Sequence, residues 1–477
     1  MVNSKAIKNV LVLCLVVAII AIAGILPPIN YAYAGESAGY SESEPEILVG
    51  LSRCTHVSLV FSDSYQVFAD GLSVQVSTQD TVTFELVNGK IAITESASSD
   101  ISWSAQTPGP VIITPLPEKN GHFTVVKQKN PNSNLTGRSF RGTAVIMADG
   151  GNLVVANLLG MEEYLWSVVS CEIPNLWTGE VLKTQAVASR TYALYKTCSP
   201  GGSSEISNRA LVHRRTLGPE DIRIWATDQI YRGMTYEDPR VIEACVSTRG
   251  QILTYLGKPA AAYFHSDASG MTEDSRFVWG GAIPYLTGVE EVPHSSPYSQ
   301  WEVSFDPDTV AQKMAWAGMA GPIRMITGVD PGVSGRWFGV NLDSGNGNLR
   351  IKGNEFRLIM DLRSLLFSVF RKGGNLETLG CLSPGLQVSV DNGNGIQSVP
   401  LRTCIVAGAG RESAAGNGAF AVSSSVDGPL TFVFQGRGWG HGVGLSQWGA
   451  KAMAEQGADF RQILIHYYPG TNIEQWW

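Results

Sequence analysis

The sequence predicts an α+β fold: an N-terminal antiparallel β region followed by a mixed α/β region with a short helix pair and a glycine-rich loop. Three observations predict it. Short alternating apolar runs fill Ile47 to Leu159, helical periodicity takes over from Met161, and glycine stands at nearly every second position of GRGWGHGVG (436–444). Period-2 alternation marks half-buried strands and the i, i+3, i+4 pattern marks helices. A cluster of glycines marks backbone that needs positive φ or close approach to other atoms.

In the β region Leu72, Val74 and Val76 share one face, as do Val82, Phe84 and Leu86. Asn88-Gly89 separates Phe84–Val87 from Ile91–Ile93, and Asp149-Gly150 separates Ala144–Met147 from Leu153–Ala156. Both dipeptides are hairpin signals, because they accept the left-handed backbone of tight two-residue turns. In MEEYLWSVVSCEIP, Leu165, Val168 and Val169 share a helical face and Pro174 ends the run. A second helix is predicted from about Thr178 to Lys196, with Leu182, Ala186, Ser189 and Ala193 as a ridge of mostly small residues suited to close packing. Residues 200–220 read as a surface loop, and the Gly- and Ser-rich stretch 371–430 reads as an insertion. Helices over Ser446–Gln456 and Phe460–Tyr467 end the chain, with Ser446 as an N-cap.

The expected organisation is a signal or anchor at 1–34, a linker at 35–46, the β-rich region at 47–159, a core domain at 160–370, the insertion, and 431–477 completing the core. At 477 residues, two or three domains are the prior. Lys5 and Lys8 precede an apolar run from Val10 to Leu26, and Ala32-Tyr33-Ala34 follows. That is the pattern of a secretory signal, cleaved after Ala34 or retained as an N-terminal anchor. Either outcome places the rest outside the cytoplasm. A net charge of −7 with no basic block argues against nucleic acid as a partner. Beyond Cys14, six cysteines remain (54, 171, 198, 245, 381 and 404), an even number that permits disulfides and equally suits buried thiols. Their spacing suggests no zinc cluster, and no metal or other cofactor is expected.

Four segments could carry chemistry. Glu172 lies at a helix end beside Ile173-Pro174, where the dipole of its own helix disfavours the anion, a setting for a general acid. The bland alternative is an exposed glutamate in a helix–helix turn. Lys183, Gln185, Arg190 and Tyr192 are hydrogen-bonding groups on a helix otherwise built of small residues, either a polar groove or a solvated face. His265-Ser266 follows an apolar run, either presenting an imidazole at a sheet edge or serving the structure. In GRGWGHGVGLSQWGA, His441 sits among glycines, with Gln447 at the next helix start and Trp439 and Trp448 as faces for a sugar ring or plugs against the core.

Taken together the segments resemble a known family. EEYLWSVVSCEIPNLWTGEVLKTQAVASRTYALY (162–195) resembles the signature of the stage II sporulation protein D (SpoIID/LytB-type) family. GNEFRLIMDLRSLLF (353–367), AYFHSDASGMTEDSRFVWGGAIPYLTGVE (262–290) and GRGWGHGVGLSQWGAKAMAEQG (436–457) resemble three further family blocks, in order along the chain. The resemblance implies an extracytoplasmic peptidoglycan lytic transglycosylase acting in septal wall remodelling during engulfment. A cell-wall amidase and membrane sporulation proteins would be partners. The family's catalytic glutamate, in its E-M-P triplet, falls on Glu172, where E-I-P stands. Lys183, Gln185, Arg190, Tyr192, His265, Ser266, His441 and Gln447 would then contact the glycan strand, with the glycines letting backbone lie against it. Two departures stand out: Trp166 replaces a small residue, and Asp228 in WATDQIYRG stands where some relatives carry a zinc-binding cysteine, so structural zinc is not expected. The alternatives are a glycan-binding enhancer of an amidase without catalysis, and a metal-dependent amidase using His265 and His441, which lacks any H-x-x-E or H-E-x-x-H pattern.

Overall fold

The computed structural model describes residues 44–78, 80–97, 100–117, 119–130, 135–198, 217–319, 321–372, 378–381, 387–391, 396–400, 419–422 and 429–477. It is an α+β protein, as expected, and its contacts divide it into two compact units. One comprises the chain up to Ala262 with Thr471–Trp477 added, and the other is Tyr263–Gly470. The division falls at Ala262/Tyr263, inside the segment that the sequence pattern had held together as one core domain.

The first unit is built on two sheets, antiparallel throughout except that the short edge strand Ile224–Trp225 runs parallel to Glu46–Cys54. One runs in the order Ile224–Trp225, Glu46–Cys54, Asn152–Gly160, Thr143–Asp149, Val111–Pro115, Tyr65–Ala69, Leu72–Val76. The other runs Ser139–Arg141, His122–Gln128, His56–Phe61, Asp80–Val87, Lys90–Ala97, Asp100–Thr107. The Asn88-Gly89 hairpin forms as predicted, with φ of 51° and 77° and Val87 opposite Lys90. At the other signal the register is one residue later: Asp149 pairs with Asn152, and Gly150-Gly151 make the turn. Two adjacent glycines carry left-handed φ at less cost than an aspartate would.

Helix α1 (Met161–Glu172) follows directly from strand Asn152–Gly160, and α2 (Gly179–Cys198) follows six residues of turn and loop that include Pro174. Leu165, Val168 and Val169 are fully buried, as their spacing required, and Ala186, Ser189 and Ala193 give α2 the low profile that close helix packing needs. Helix α3 (Pro239–Ser247) covers the pair, its N-terminus capped by Asp238. Strands Gln251–Tyr255 and Asn472–Gln475 pair antiparallel and complete this unit.

The second unit holds a five-stranded sheet, in the order Trp301–Phe305, Thr431–Gly436, Phe367–Lys372, Thr378–Cys381, Ala419–Val422. Beside it is a three-stranded sheet of Met325–Pro331, Trp337–Asp343 and Asn348–Lys352. Trp337, Phe356, Phe367, Phe432 and Phe434 form the centre of its core. Within the stretch read as an insertion, the described residues form strands, and Thr378–Cys381 and Ala419–Val422 extend the five-stranded sheet. Helices Gln447–Glu455 and Phe460–Tyr467 lie where the periodicity put them, with Ser446 as the N-cap of the first.

Among the described residues no helix is long and apolar enough to cross a membrane. The signal or anchor, the linker to residue 43, the stretch 200–216 read as part of a surface loop, and Cys404 lie outside the described residues. Cys54, Cys171, Cys198 and Cys245 are free thiols, Cys54 and Cys245 buried ones.

Candidate functional site

In the first unit the site is built around the last residue of α1. Ile173 takes an extended conformation (φ −134°, ψ 155°), the geometry that proline imposes on the residue before it, so the helix stops at Glu172. The turn that follows is fixed from α3: Asn175 Nδ2 donates to Asp238 Oδ2 at 2.5 Å, and Arg240 donates to the Trp177 carbonyl at 3.0 Å. Glu172 is thus half-buried on a rigid corner rather than in a mobile loop.

Over that corner lies the segment Trp225–Arg232. The backbone N–H of Ile230 donates to Glu172 Oε1 at 2.7 Å. Each neighbouring residue of the segment is tied down separately. Asp228 accepts from the Trp225 N–H at 2.7 Å and pairs with Lys196 of α2 at 3.2 Å. Gln229 is buried, accepting from the Tyr164 hydroxyl at 2.9 Å and donating to the Ser189 carbonyl at 3.4 Å. Tyr231 donates to Asn157 Oδ1 at 2.6 Å, and the Arg232 N–H donates to Ser167 Oγ at 3.1 Å. Asp228 therefore anchors the segment by an ion pair and a turn.

Burial pushes the Tyr192 phenol upward, and the negative fields of Asp228, Tyr195 and Glu172 add to that. The same two carboxylates act on Tyr164, whose phenol is raised first by burial. Tyr164, Tyr192, Asp228 and Glu172 thus share one polar neighbourhood, so of the four groove candidates on α2 Tyr192 stands beside Glu172. Lys183 is half-buried and pairs with Glu180 at 2.8 Å. The other two correct the expectation of a groove. Gln185 is buried and donates to Ser189 Oγ at 3.0 Å. Arg190 is fully buried: it forks onto Glu162 of α1 at 3.0 and 2.6 Å and donates to the carbonyls of Gln251 and Cys245. Its donors are satisfied inside, so it ties α1, α2, α3 and a strand together and presents nothing to a ligand. Trp166, the bulky replacement, lies under the Arg141 guanidinium at 5.2 Å, which Glu237 holds in a two-pronged pair.

In the second unit His265, Ser266, His441 and Gln447 do come together. Phe264-His265 pairs parallel with Leu445-Ser446, and Asp267 pairs with Trp439, so the glycine loop folds back along 264–274. His265 is buried, its Nδ1 donating to the Val443 carbonyl at 3.2 Å. His441 Nδ1 accepts from the Val443 N–H at 3.1 Å, and its ring lies 5.4 Å from that of His265 and 5.2 Å from Trp279. Burial, with help from Arg357 and Arg336, lowers His441 to about 3, so it is a neutral imidazole at ordinary pH. Burial together with His441 and Arg336 also pushes His265 well down. Ser266 is half-buried, its carbonyl accepting from the Trp448 N–H at 3.0 Å, and Gln447 is buried.

The glycines of this loop face the protein itself. At Gly440 (φ 112°) a Cβ would lie 2.7 Å from the His265 Cβ, and at Gly442 (φ 88°) one would lie 2.6 Å from Arg336 Nε. Arg336 is fully buried and donates to the carbonyls of Met271 and Ala268 and to Ser334. The close approach that the sequence demanded is thus to this chain's own side chains, which corrects the expectation that these glycines lie against a glycan.

Among the described residues, Asp267, Glu291 and His294 are the group whose ligand atoms approach within 4.8 Å of one another. Glu291 and His294 lie 24 and 27 residues after Asp267 in sequence, so no local motif joins the three. His294 Nε2 donates to Asp267 Oδ1 at 3.1 Å while its Nδ1 donates to the Val292 carbonyl at 3.0 Å. The Asp267 hydrogen bond lifts His294 to about 9, making the contact a buried ion pair. Glu291 accepts from the Gly270 N–H and the Tyr467 hydroxyl.

Residues 149–255 match the family model described as SpoIID, Stage II sporulation protein. That span includes α1, α2 and the segment over Glu172. An uncharacterised protein of Brachyspira hyodysenteriae is 26% identical over 344 residues, covering 71% of this chain and 73% of its own. Stage II sporulation protein D of Bacillus subtilis is 28% identical over 329 residues, 66% of this chain and 74% of its own. A protein of the same organism named Amidase enhancer is 28% identical over 324 residues, 65% of this chain and 40% of its own. Its helix pair lies inside the matched model and two-thirds of its length aligns to a protein of that name, so over these residues the chain is similar to the stage II sporulation protein D family.

Proposed function

We propose that this protein is a peptidoglycan lytic transglycosylase, with Glu172 acting first as acid and then as base. The family and the names of the relatives support a cell-wall role tied to sporulation. The observation that carries the finer reading is the setting of Glu172: a carboxyl group on a rigid helix corner, with one oxygen held by the Ile230 N–H at 2.7 Å.

One carboxyl group suffices for this reaction. Its proton goes to the glycosidic oxygen between N-acetylmuramic acid and N-acetylglucosamine as the C1–O bond breaks. The resulting carboxylate then takes the proton of the muramic acid 6-hydroxyl, whose oxygen bonds to C1 and closes a 1,6-anhydro ring. No water attacks, so the second carboxylate of an ordinary glycosidase pair is unnecessary. The backbone N–H at Oε1 orients the carboxyl through both steps.

The reading requires no metal. It places the protein outside the cytoplasm, cleaved from or held by its N-terminal segment, with glycan strands as substrate and with a cell-wall amidase and membrane sporulation proteins as partners. The relative named Amidase enhancer favours a second reading, in which the protein binds glycan and stimulates an amidase without cutting. Digestion of purified peptidoglycan by the wild type and by Glu172→Gln separates them. The first reading expects soluble glycan fragments from the wild type alone; the second expects none from either protein and equal stimulation of an added amidase by both.

A further inference from the structure

The second unit carries an aromatic surface centred on the exposed Trp439. Trp439 is 43% exposed, yet its backbone is fixed on both sides. Its N–H and carbonyl pair with Asp267 at 2.9 and 3.1 Å, the Gly438 N–H donates to the Tyr298 carbonyl at 2.8 Å, and the Gly440 N–H donates to the Arg363 carbonyl at 2.9 Å. A large indole left in water on a rigid backbone gives up burial that would otherwise stabilise the fold. Tyr298 stands edge-on to Trp439 at 4.6 Å and edge-on to Trp448 at 6.5 Å, so one phenol ring separates two indoles.

Charge accompanies these rings. The Arg363 guanidinium lies 5.6 Å from the Tyr298 ring and 5.8 Å from that of Trp439, and Arg363 is exposed. The ion pairs among the described residues of this unit leave it out. A stacked guanidinium keeps its N–H edge free, and that edge matches a carboxylate with two parallel hydrogen bonds. Beyond Trp448 lies a cleft of about 270 Å³ lined by His294, Ser295, Lys451 and Glu455, with Lys451 Nζ 5.5 Å from the Trp448 ring. In a chain of net charge −7, an exposed indole with two half-buried rings beside it, flanked by an arginine outside the ion pairs among the described residues, runs against the overall composition.

We propose that Arg363, Trp439, Tyr298 and Trp448 form a binding strip for a carboxylate-bearing polysaccharide. Sugar rings stack on the two indoles, and an acid substituent of the strand pairs with Arg363. This rests on the proposed peptidoglycan reading for the identity of the strand. There the acid group is either the lactyl carboxylate of muramic acid or a carboxylate of its stem peptide.

The test is equilibrium binding by the full-length Glu172→Gln protein, which leaves the strand uncut. The probes are peptide-free glycan, the same glycan with its carboxylates converted to amides, glycan bearing stem peptides, and neutral chitin oligosaccharide. The expected result is that peptide-free glycan binds about tenfold more tightly than its amidated form, and that Arg363→Gln abolishes this preference. Trp439→Ala is expected to weaken both forms by about tenfold. If stem-peptide glycan alone shows the Arg363-dependent preference, the peptide is the source of the acid group and the strip stands. Equal affinity for all four probes, or binding indifferent to Arg363→Gln and Trp439→Ala in proteins of unchanged melting temperature, overturns it. Because binding is read without cleavage, a wild type that cuts nothing would sink the transglycosylase reading and leave this result intact.

Discussion

The backbone N–H of Ile230 holds Glu172 Oε1 at 2.7 Å, and the residue that positions Ile230 is its buried neighbour Gln229. Gln229 accepts from Tyr164 on the same helix that ends in Glu172. The carboxylate and the donor that orients it are therefore tied to one helix by two routes.

Removing one route should loosen the site while leaving the fold in place. Tyr164→Phe deletes a buried donor and leaves the Gln229 carbonyl under-satisfied, at a cost of about 1–3 kcal/mol. If that bond positions Glu172, the variant loses turnover about tenfold or more with little change in KM. A melting temperature that drops while turnover of the folded fraction is unchanged would show that the bond is purely structural.

Arg190 is a fold residue. Arg190→Met leaves Glu162 buried and unpaired, which should destabilise the protein by about 3–5 kcal/mol. Replacing both partners, Arg190→Met with Glu162→Leu, should recover much of the loss, because the uncompensated charge is gone. Chemical denaturation of the two variants decides it; a double variant no more stable than the single one would contradict the assignment.

The glycine loop makes a steric prediction. Gly442→Ala must hold a positive φ and set a methyl group against a guanidinium whose hydrogen bonds prevent it from moving, at about 2–3 kcal/mol. Gly347→Ala, where a Cβ meets nothing within 4 Å, should change stability by less than about 0.5 kcal/mol. Similar melting temperatures for the two variants would refute the packing account of this loop.

Three histidines of the second unit set opposite limbs of a stability profile. His441 (about 3) and His265 lie below the ordinary 6.5, so below pH 6.5 the unfolded chain takes up protons that the folded one refuses, and stability falls on acidification. His294 lies above 6.5, at about 9, so its contribution is complete below 6.5 and is lost as pH rises through 9. Stability should peak near neutral pH, and His294→Gln should flatten the alkaline limb. An alkaline limb unchanged in that variant would place the titration elsewhere.

Much of this was legible in the chain. The burial of Leu165, Val168 and Val169 and the stop at Glu172 follow from periodicity and from Pro174, which are local signals. The Asn88-Gly89 turn follows from the backbone freedom of those two residues, and the shifted turn at Gly150-Gly151 is the same principle with the better pair winning. What could not be read depends on partners far apart in sequence. The polar residues of α2 read as a groove or a solvated face because their spacing gives no hint that Glu162, Cys245 and Gln251 await Arg190. The glycines at 440 and 442 announced a close approach, but not that His265 and Arg336 were the atoms approached. The segment over Glu172 is held by individual hydrogen bonds to three other elements, which carry no periodic signature.

The central claim is that Glu172 closes a ring rather than activating water, and product mass tests it most directly. Peptidoglycan digested by the wild type should release fragments ending in 1,6-anhydro-muramic acid, lighter by one water than hydrolysis products and free of label when the digestion is run in ¹⁸O-water; Glu172→Gln should release none. Fragments that carry the label, or the same anhydro products from Glu172→Gln, would contradict it.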